Sequence, residues 1–278
     1  MKKFISVILA TLTVVSIFSI CIYADDTIGT DDSEKMLSIE DCEDMTLDQI
    51  FMLAANGQID LSEPPEQNTD GEDGEEVDDP EVVDPPEEVE YDPNHVADFY
   101  LMSNASGFPS LGHIWIYIEN VSPRDIQVGC YTCPPGEGVS VGCFGLTRSD
   151  GFGVYYNIEA YCGNKFPEKL VDCYHVKTEM NEEQTNAVSK KILRSNWWDP
   201  IVVNCCFFAL SAWNKAGGKW RFPWTCFPFF AKLGIKRTGE PGVSMFDPGR
   251  ERVFKQKGSG DKAYIEPVKD GSVDTVPG

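Results

Sequence analysis

The sequence predicts an α+β domain that follows a long acidic leader, and three observations support this fold class. Segments rich in β-branched and aromatic residues recur from residue 97 to residue 176, which is typical of consecutive strands. From Thr178 onward the apolar residues recur at helical spacing. From residue 63 to residue 93 the chain is too acidic and too poor in apolar residues to support a core of its own.

The charge of the chain is divided unevenly. Residues 25–94 contain 26 Asp or Glu and one basic residue, Lys35, whereas residues 95–278 carry a net charge of +1. The overall charge of −22 therefore describes the leader and says little about the ligands of the folded part. No basic cluster with interleaved aromatic residues occurs in the sequence, so nucleic acid is not an expected partner.

Residues 1–24 have the pattern of a secretory signal peptide, with two lysines, an apolar stretch and the small residue Ala24 at the end. We therefore expect a secreted or cell-surface protein with no stable membrane span once the signal is cleaved. An uncleaved N-terminal anchor is the alternative, because the apolar stretch approaches the roughly 20 residues that span a bilayer. Residues 25–94 predict a largely disordered leader with one short helix near 46–56, between a capping Thr and an Asn-Gly stop.

We expect the folded domain over residues 95–247 and a polar tail over residues 248–278. The predicted strands are 97–102, 112–120, 126–132, 139–144, 153–161 and 171–176. A capping box at residues 181–184 opens a predicted helix that continues to Asn196. The aromatic and proline-rich stretch 220–230 is a candidate wall of a groove.

A second predicted helix begins after Asn204, a favoured N-cap residue, and ends near Gly217. Cys205 therefore lies in the first turn, where backbone N–H groups and the helix dipole favour a thiolate. Cys206 lies on a different side of the same turn. Taken alone, this apolar run is more typical of a buried helix whose cysteines pack as small apolar side chains or form a disulfide.

Cleavage of the signal would leave nine cysteines, so at least one thiol of an exported chain would be unpaired. A retained thiol outside the cytoplasm is a candidate nucleophile, although an unpaired Cys42 explains the odd number equally well. Cys162 and Cys173 are a candidate disulfide. Cys130 and Cys133 have the spacing of half a zinc site, but no second pair matches them. We therefore expect neither a metal nor another cofactor.

A thiol hydrolase needs an imidazole within hydrogen-bond reach of the sulfur. The chain has three histidines: His95 at the edge of the domain, His175 near a strand end, and His113 at the start of the strongest predicted strand. A histidine that begins a strand is more often structural than catalytic. His113 nevertheless becomes the leading candidate when it is considered together with the cysteine helix.

Gly112-His113-x-Trp115-Ile116 opens a strand, and Asn204-Cys205-x-x-Phe208-Ala209 opens a helix 92 positions later. These two motifs, in this order, resemble the circularly permuted branch of the NlpC-type, papain-like cysteine hydrolases, to which the lecithin retinol acyltransferase group is related. The resemblance covers roughly residues 95–235. It implies an antiparallel sheet packed on the buried cysteine helix, with Cys205 as nucleophile and His113 as base.

Members of this family orient the histidine with a third polar group, normally from the strand after the histidine strand. Here that strand offers Gln127 or Tyr131 and no second histidine. Glu159 or Asn157, in the later predicted strand, could take this role instead, and we favour Glu159. A solvated strand position explains Glu159 equally well.

Together these features predict an exported cysteine hydrolase that cleaves an amide or peptide bond, most naturally in cell-wall peptidoglycan, through an acyl-enzyme on Cys205. We expect a monomer. Two alternatives stay open. The chain could be a non-catalytic exported binding module with residues 220–230 as its ligand surface, or an acyltransferase that uses the same residues but transfers the acyl group to an acceptor other than water.

Overall fold

The computed structural model describes residues 45, 50, 91–104, 113–144, 152–167, 170, 173–196, 204–219, 228–242 and 244–268. The predicted signal peptide at 1–24, nearly all of the leader and the aromatic stretch up to residue 227 lie outside the described residues. In the part of the chain that is described, no helix has the length and apolar character needed to cross a membrane.

The described residues form an α+β fold with a large antiparallel sheet, as the sequence predicts. The strands are β1 (Ala97–Asn104), β2 (His113–Asn120), β3 (Ile126–Val128), β4 (Tyr131–Cys133), β5 (Gly138–Phe144), β6 (Gly153–Tyr156), β7 (Tyr174–Met180), β8 (Glu240–Pro241), β9 (Phe254–Lys257) and β10 (Tyr264–Pro267). The helices are α1 (Ile158–Lys165), α2 (Glu182–Leu193), α3 (Cys205–Lys215) and α4 (Pro228–Thr238). Short 3-10 helices lie at Arg250–Arg252 and Gly260–Lys262.

Within the described residues, eight strands form one sheet in the order β10-β9-β6-β5-β2-β1-β7-β8. Neighbouring strands run antiparallel. Strand β2 lies between β1 and β5, and it pairs with β1 over its whole length, from Ala97 opposite Asn120 to Asn104 opposite His113. The pairing holds the backbone of His113 at the end of a central strand.

Side chains of the sheet alternate between two buried apolar clusters, because successive strand residues point to opposite faces. On β2, Ile114 and Ile116 belong to the first cluster, whereas Trp115 and Tyr117 belong to the second. Helices α2, α3 and α4 contribute to the first cluster, which we call the α3 face. Helix α1 contributes to the second, which we call the α1 face.

Helices α2 and α3 begin at the caps that the sequence predicts. The Asn181 side chain accepts a hydrogen bond from the Gln184 N–H, and the Gln184 side chain accepts one from the Asn181 N–H, which completes a capping box. The Asn204 side chain accepts a hydrogen bond of 3.0 Å from the Phe207 N–H. Beyond α3, Gly217 has a φ of +88°, the left-handed conformation that ends a helix at glycine.

Three predicted segments differ from the structure. The predicted strand 126–132 is a hairpin of β3 and β4, because Gly129 adopts a φ of +61° and reverses the chain. The predicted strand 153–161 stops before Asn157, and α1 follows it. The predicted polar tail 248–278 contains β9 and β10, which pair beside β6 and extend the sheet.

Two positions at or near the predicted helix of the leader pack on the folded domain. Ile50 is helical and fully buried in the α1 face, in the same cluster as Met102 and Trp115. Met45 packs against this cluster. The rest of the predicted helix at 46–56 lies outside the described residues.

Candidate active site

The starts of β2, α1 and α3 bring together the three residues that the sequence analysis selected. His113 Nε2 lies 3.0 Å from Glu159 Oε1. A second side-chain hydrogen bond joins His113 to Cys205. Because Glu159 occupies Nε2, the ring nitrogen that remains for the thiol is Nδ1. The imidazole therefore stands between a thiol and a carboxylate.

The two adjacent thiols of α3 have different surroundings. Cys206 is fully buried in the α3 face, in the same cluster as Phe208 and Ala209. Cys205 is partly exposed. Neighbouring helix residues point about 100° apart, so the two thiols of this turn face different surroundings. Cys205 is the thiol that combines solvent access with a histidine partner.

Aromatic side chains hold the plane of the His113 ring. The ring stacks on Phe144 with centroids 4.4 Å apart and on Trp115 with centroids 5.6 Å apart. Only 3% of His113 is exposed. Since the ring cannot turn freely between these neighbours, its two nitrogens keep fixed directions.

Glu159 is a fully buried carboxylate with a partner on each oxygen. Oε1 faces His113, and Oε2 accepts a hydrogen bond of 2.9 Å from the Ser140 hydroxyl. Ser140 Oγ in turn accepts one of 3.1 Å from the Ala160 N–H. Glu159 also lies in the first turn of α1, where the helix dipole favours a negative charge. A buried carboxylate is costly unless it is paired and hydrogen-bonded in this way.

The backbone around Glu159 is shaped to receive it. A Cβ on Gly142 would lie 1.7 Å from Glu159 Oε1, so only glycine leaves room for the carboxylate. Asn157, directly before α1, has a φ of 68°, which Asn tolerates better than most residues. Its side chain accepts from the Ser140 N–H at 3.2 Å and donates to the Arg252 carbonyl at 3.0 Å. These contacts fix the turn that directs Glu159 toward His113.

The partners of His113 raise its pKa. Burial alone lowers this pKa, but the hydrogen bonds to Cys205 and Glu159, and the charges of both groups, outweigh burial and raise the pKa to about 9. His113 is therefore an imidazolium near neutral pH. An imidazolium beside a thiol stabilises the thiolate, which is the nucleophilic form.

The sequence analysis did not identify Ser140 and Gly142. Both lie on β5 with side-chain positions on the α1 face, because Gly138, Ser140 and Gly142 alternate with apolar residues of the α3 face. A row of small residues along one face of a strand indicates that another group approaches the sheet closely there. This row of small residues was the feature of the sequence that could have identified Ser140 and Gly142.

The other predicted candidates lie elsewhere. Gln127 donates a hydrogen bond to Thr132 within the β3 and β4 hairpin, and Tyr131 stacks on Tyr156. His95 Nε2 lies 3.0 Å from Asp98 Oδ1. Across the described ranges, no group of three or more His, Cys, Asp and Glu side chains is arranged to hold a metal.

The predicted bridge between Cys162 and Cys173 stays a prediction. Both side chains are fully buried in the α1 face. The cysteines that the structure describes form no disulfide.

In comparisons with known proteins, no family model matches this chain, and no curated protein or solved structure matches it significantly. Its function is therefore inferred from the geometry of the site.

Proposed function

We propose that this chain is an exported cysteine hydrolase that cleaves an amide or peptide bond. Cys205 is the nucleophile, His113 is the acid-base partner, and Glu159 orients the imidazole. One observation carries the proposal: His113 joins a partly exposed thiol at a helix start to a buried carboxylate 3.0 Å from its other ring nitrogen. A nucleophile, a base and an orienting group in hydrogen-bond sequence are the signature of nucleophilic catalysis.

In the first half of the reaction, the Cys205 thiolate attacks the carbonyl carbon of the substrate. A C–S bond forms, and the carbonyl π electrons move to the oxygen, where N–H groups in the first turn of α3 stabilise the negative charge. The intermediate then collapses, the C–N bond breaks, and His113 gives its proton to the leaving amine. A thioester on Cys205 and a neutral imidazole remain.

In the second half, His113 takes a proton from water as the water oxygen attacks the thioester carbon. A second oxyanion forms at the same N–H groups, and its collapse breaks the C–S bond and releases the carboxylic acid. His113 ends this step as an imidazolium beside the regenerated thiolate. The proton count is therefore restored for the next turnover.

Glu159 acts through His113 in both halves. With Nε2–H donated to the carboxylate, Nδ1 faces Cys205, so the proton moves along the line of attack. Ser140 holds the other oxygen of Glu159 at 2.9 Å, which prevents the carboxylate from rotating away. The carboxylate also stabilises the imidazolium that exists before attack and after deacylation.

A permuted papain-like architecture belongs to the same proposal. It is supported by the order of the elements, since the histidine strand β2 precedes the cysteine helix α3, and by the packing of α3 on the sheet through Phe208 and Trp213. Peptidoglycan peptides are the substrate that the sequence resemblance implies. An exported location follows from the predicted signal peptide at residues 1–24.

Hydrolysis of purified peptidoglycan, followed by the release of new amino groups, tests the proposal. Cys205→Ala is expected to lower the rate more than about 10³-fold at an unchanged melting temperature, because the nucleophile is lost. Cys206→Ala is the matched control, since it removes the neighbouring thiol from the core, and its rate should stay within about twofold.

Site-resolved alkylation with iodoacetamide provides a second measurement, in which Cys205 is expected to react faster than the other cysteines. Full activity of Cys205→Ala would overturn the hydrolase. An unreactive Cys205 in a protein that still binds peptidoglycan would favour the binding module instead. If Cys205 is reactive but no new amino groups are released from peptidoglycan, the hydrolase proposal stands and peptidoglycan is excluded as its substrate.

A further inference from the structure

The aromatic ring of Phe144 is the nearer of the two rings that stack on the His113 imidazole. The centroids of Phe144 and His113 are 4.4 Å apart, and the angle between the two planes is 24°. The Trp115 ring is farther away, at 5.6 Å and 9°. At the shorter distance and with nearly parallel planes, the face of the Phe144 ring is turned toward the imidazole. This face carries the partial negative charge of the aromatic quadrupole.

The register of the sheet explains why Phe144 lies beside His113. Strands β2 and β5 pair antiparallel, with Ile116 opposite Val141. Three residues further along the same register, His113 stands opposite Phe144, and opposite side chains lie on the same face of a sheet. Phe144 also meets Tyr155 of β6 edge to face, with centroids 5.5 Å apart. Contacts with β2 and β6 therefore hold the ring in its place.

The contact between Phe144 and His113 is removed from water. Phe144 is 2% exposed, and His113 is 3% exposed. An aromatic ring whose centre lies within about 6 Å of a cation attracts that cation, and the attraction is larger where both groups are desolvated. A neutral imidazole gains less from the same ring, because it has no net charge. The ring of Phe144 therefore favours the imidazolium over the neutral imidazole.

The elements around His113 also bring charged and titratable groups to it. Glu159 of α1 lies 3.0 Å from Nε2, and Cys205 of α3 makes the second side-chain hydrogen bond. Strand β1 places the uncharged Asn104 opposite His113, and β5 carries Cys143, which is buried in the α3 face. The carboxylate and the thiolate favour the imidazolium through full charges. The Phe144 ring acts in the same direction with a smaller effect, so its effect must be measured by changing the ring alone.

We propose that Phe144 is a positioning residue of the candidate active site, whose ring stabilises the positive charge of His113 through a cation–π contact. The inference rests on the proposed hydrolase, in which the imidazolium supports the Cys205 thiolate before attack and after deacylation. Phe144 acts through His113 and takes no part in bond formation. An aliphatic side chain at this position could fill the space, but it would not present a negative face to the imidazolium.

Fluorination of the Phe144 ring tests this role, because fluorine withdraws electron density from the face of the ring and changes its shape little. Monofluoro-, difluoro- and trifluorophenylalanine are introduced at position 144 of the full chain by codon suppression. The pKa of His113 is measured by NMR from its Cε1 signal, which is assigned with His113→Gln. Each fluorine should lower this pKa, by about half a unit to one unit in total, at a nearly constant melting temperature.

The same analogues at Phe99 are the matched control. Phe99 is fully buried on the neighbouring strand β1, and its ring contacts Trp213 on the α3 face, with centroids 5.8 Å apart. Fluorination there should leave the pKa of His113 unchanged. Phe144→Leu keeps an apolar side chain without a ring, and it should lower the pKa of His113 at least as far as the trifluoro analogue does.

A pKa of His113 that stays constant across the Phe144 series would overturn this role and leave Phe144 as a packing residue. An equal fall in the Phe99 series would overturn it as well. The hydrolase is tested separately by iodoacetamide, since a Cys205 that reacts no faster than the buried cysteines would overturn it. The NMR titration does not depend on that rate, so the two failures are distinguishable.

Discussion

His113 and His175 lie on the two strands that flank β1. His113 is buried and His175 is partly buried, but their pKa values are shifted in opposite directions. Burial lowers the pKa of His175. The pKa of His113 is raised to about 9, although burial acts against it. His113 faces Glu159 and Cys205, whereas His175 Nδ1 is buried without a hydrogen-bond partner among the described residues. Burial sets the direction of the shift at His175, whereas the partners of the ring outweigh burial at His113.

The same contrast separates the candidate active site from a region where the histidine packs on the sheet. The His175 ring lies 5.5 Å from the Tyr100 ring in a tilted contact, and its strand pairs with the short strand β8. A neutral imidazole there serves as a flat side chain on the sheet. The imidazolium of His113 can donate a proton and stabilise a thiolate. A neutral imidazole at His175 can do neither.

Replacing each histidine in turn tests this contrast with the largest expected effect. His113→Gln should lower the rate of Cys205 alkylation by iodoacetamide at pH 7 by more than about 100-fold, because the thiolate loses its cationic partner. His175→Gln should leave that rate within about twofold. Site-resolved mass spectrometry provides the measurement. Equal effects of the two substitutions would show that the histidines do not differ in function.

Removing the charge of Glu159 tests whether that carboxylate sets the charge of His113. Glu159→Gln should lower the pKa of His113 from about 9, since both contributions of Glu159 raise it. Activity that needs the imidazolium is present below this pKa and is lost as the pH rises through it, so the alkaline limit should move to lower pH. Titration of the histidine Cε1 signals by NMR measures the shift, with His175 as the internal reference.

The free energy of unfolding should depend on pH in the same direction as the activity. The folded-state pKa of His113 lies above its ordinary value of 6.5, so the stabilisation is complete below pH 6.5 and is lost as the pH rises toward 9. Glu159→Gln should reduce this loss of unfolding free energy, which denaturant titrations at several pH values can follow. A His113 midpoint that does not move in Glu159→Gln would contradict the assigned role of the carboxylate.

Crowding Glu159 without changing it should have a smaller effect. Gly142→Ala places a Cβ 1.7 Å from Glu159 Oε1, and Gly138→Ala, on the same strand and face, places one 1.9 Å from the Tyr117 hydroxyl. Overpacking of this kind costs about 1–3 kcal/mol in either variant. Only Gly142→Ala should also slow Cys205 alkylation, by about tenfold. If Gly138→Ala slowed it equally, the site would be sensitive to general strain in β5.

Local patterns were sufficient for the elements that carry two of the three site residues, whereas the choice of Cys205 and His113 rested on the resemblance of the two motifs to a known family. Asn204 identified the start of the cysteine helix, because capping depends on a side chain and a backbone that are adjacent in sequence. A run of β-branched and aromatic residues identified the strand of His113. Both motifs carry their structural information within about ten residues. Their catalytic roles stay predictions until they are measured.

Glu159 was selected as a residue but placed on the wrong element. Helix α1 has no visible helical periodicity, because its residues from Ile158 to Gly163 are all buried. It also lacks a side-chain cap, because the Asn157 side chain accepts from the Ser140 N–H and donates to the Arg252 carbonyl instead. The helix is formed by contacts distant in sequence, which a local pattern cannot contain.

Strands β9 and β10 were missed for a related reason. Their sequences, Phe-Lys-Gln-Lys and Tyr-Ile-Glu-Pro, are too polar to indicate strands. The pairing of Tyr155 with Lys255 and the hydrogen bond of 2.8 Å from the Tyr156 hydroxyl to Gln256 attach β9 to the sheet. These partners are about a hundred residues apart, so the strand exists only once the rest of the sheet is present.

The hydrogen bond from Asn157 to the Arg252 carbonyl also depends on the order in which the chain is synthesised. A ribosome releases His113, Glu159 and Cys205 before it makes Arg252. A nascent chain stalled between residues 215 and 252 therefore carries all three groups but lacks the brace on the turn that directs the carboxylate. The turn that directs the carboxylate is therefore complete only when the segment around Arg252 has docked on it.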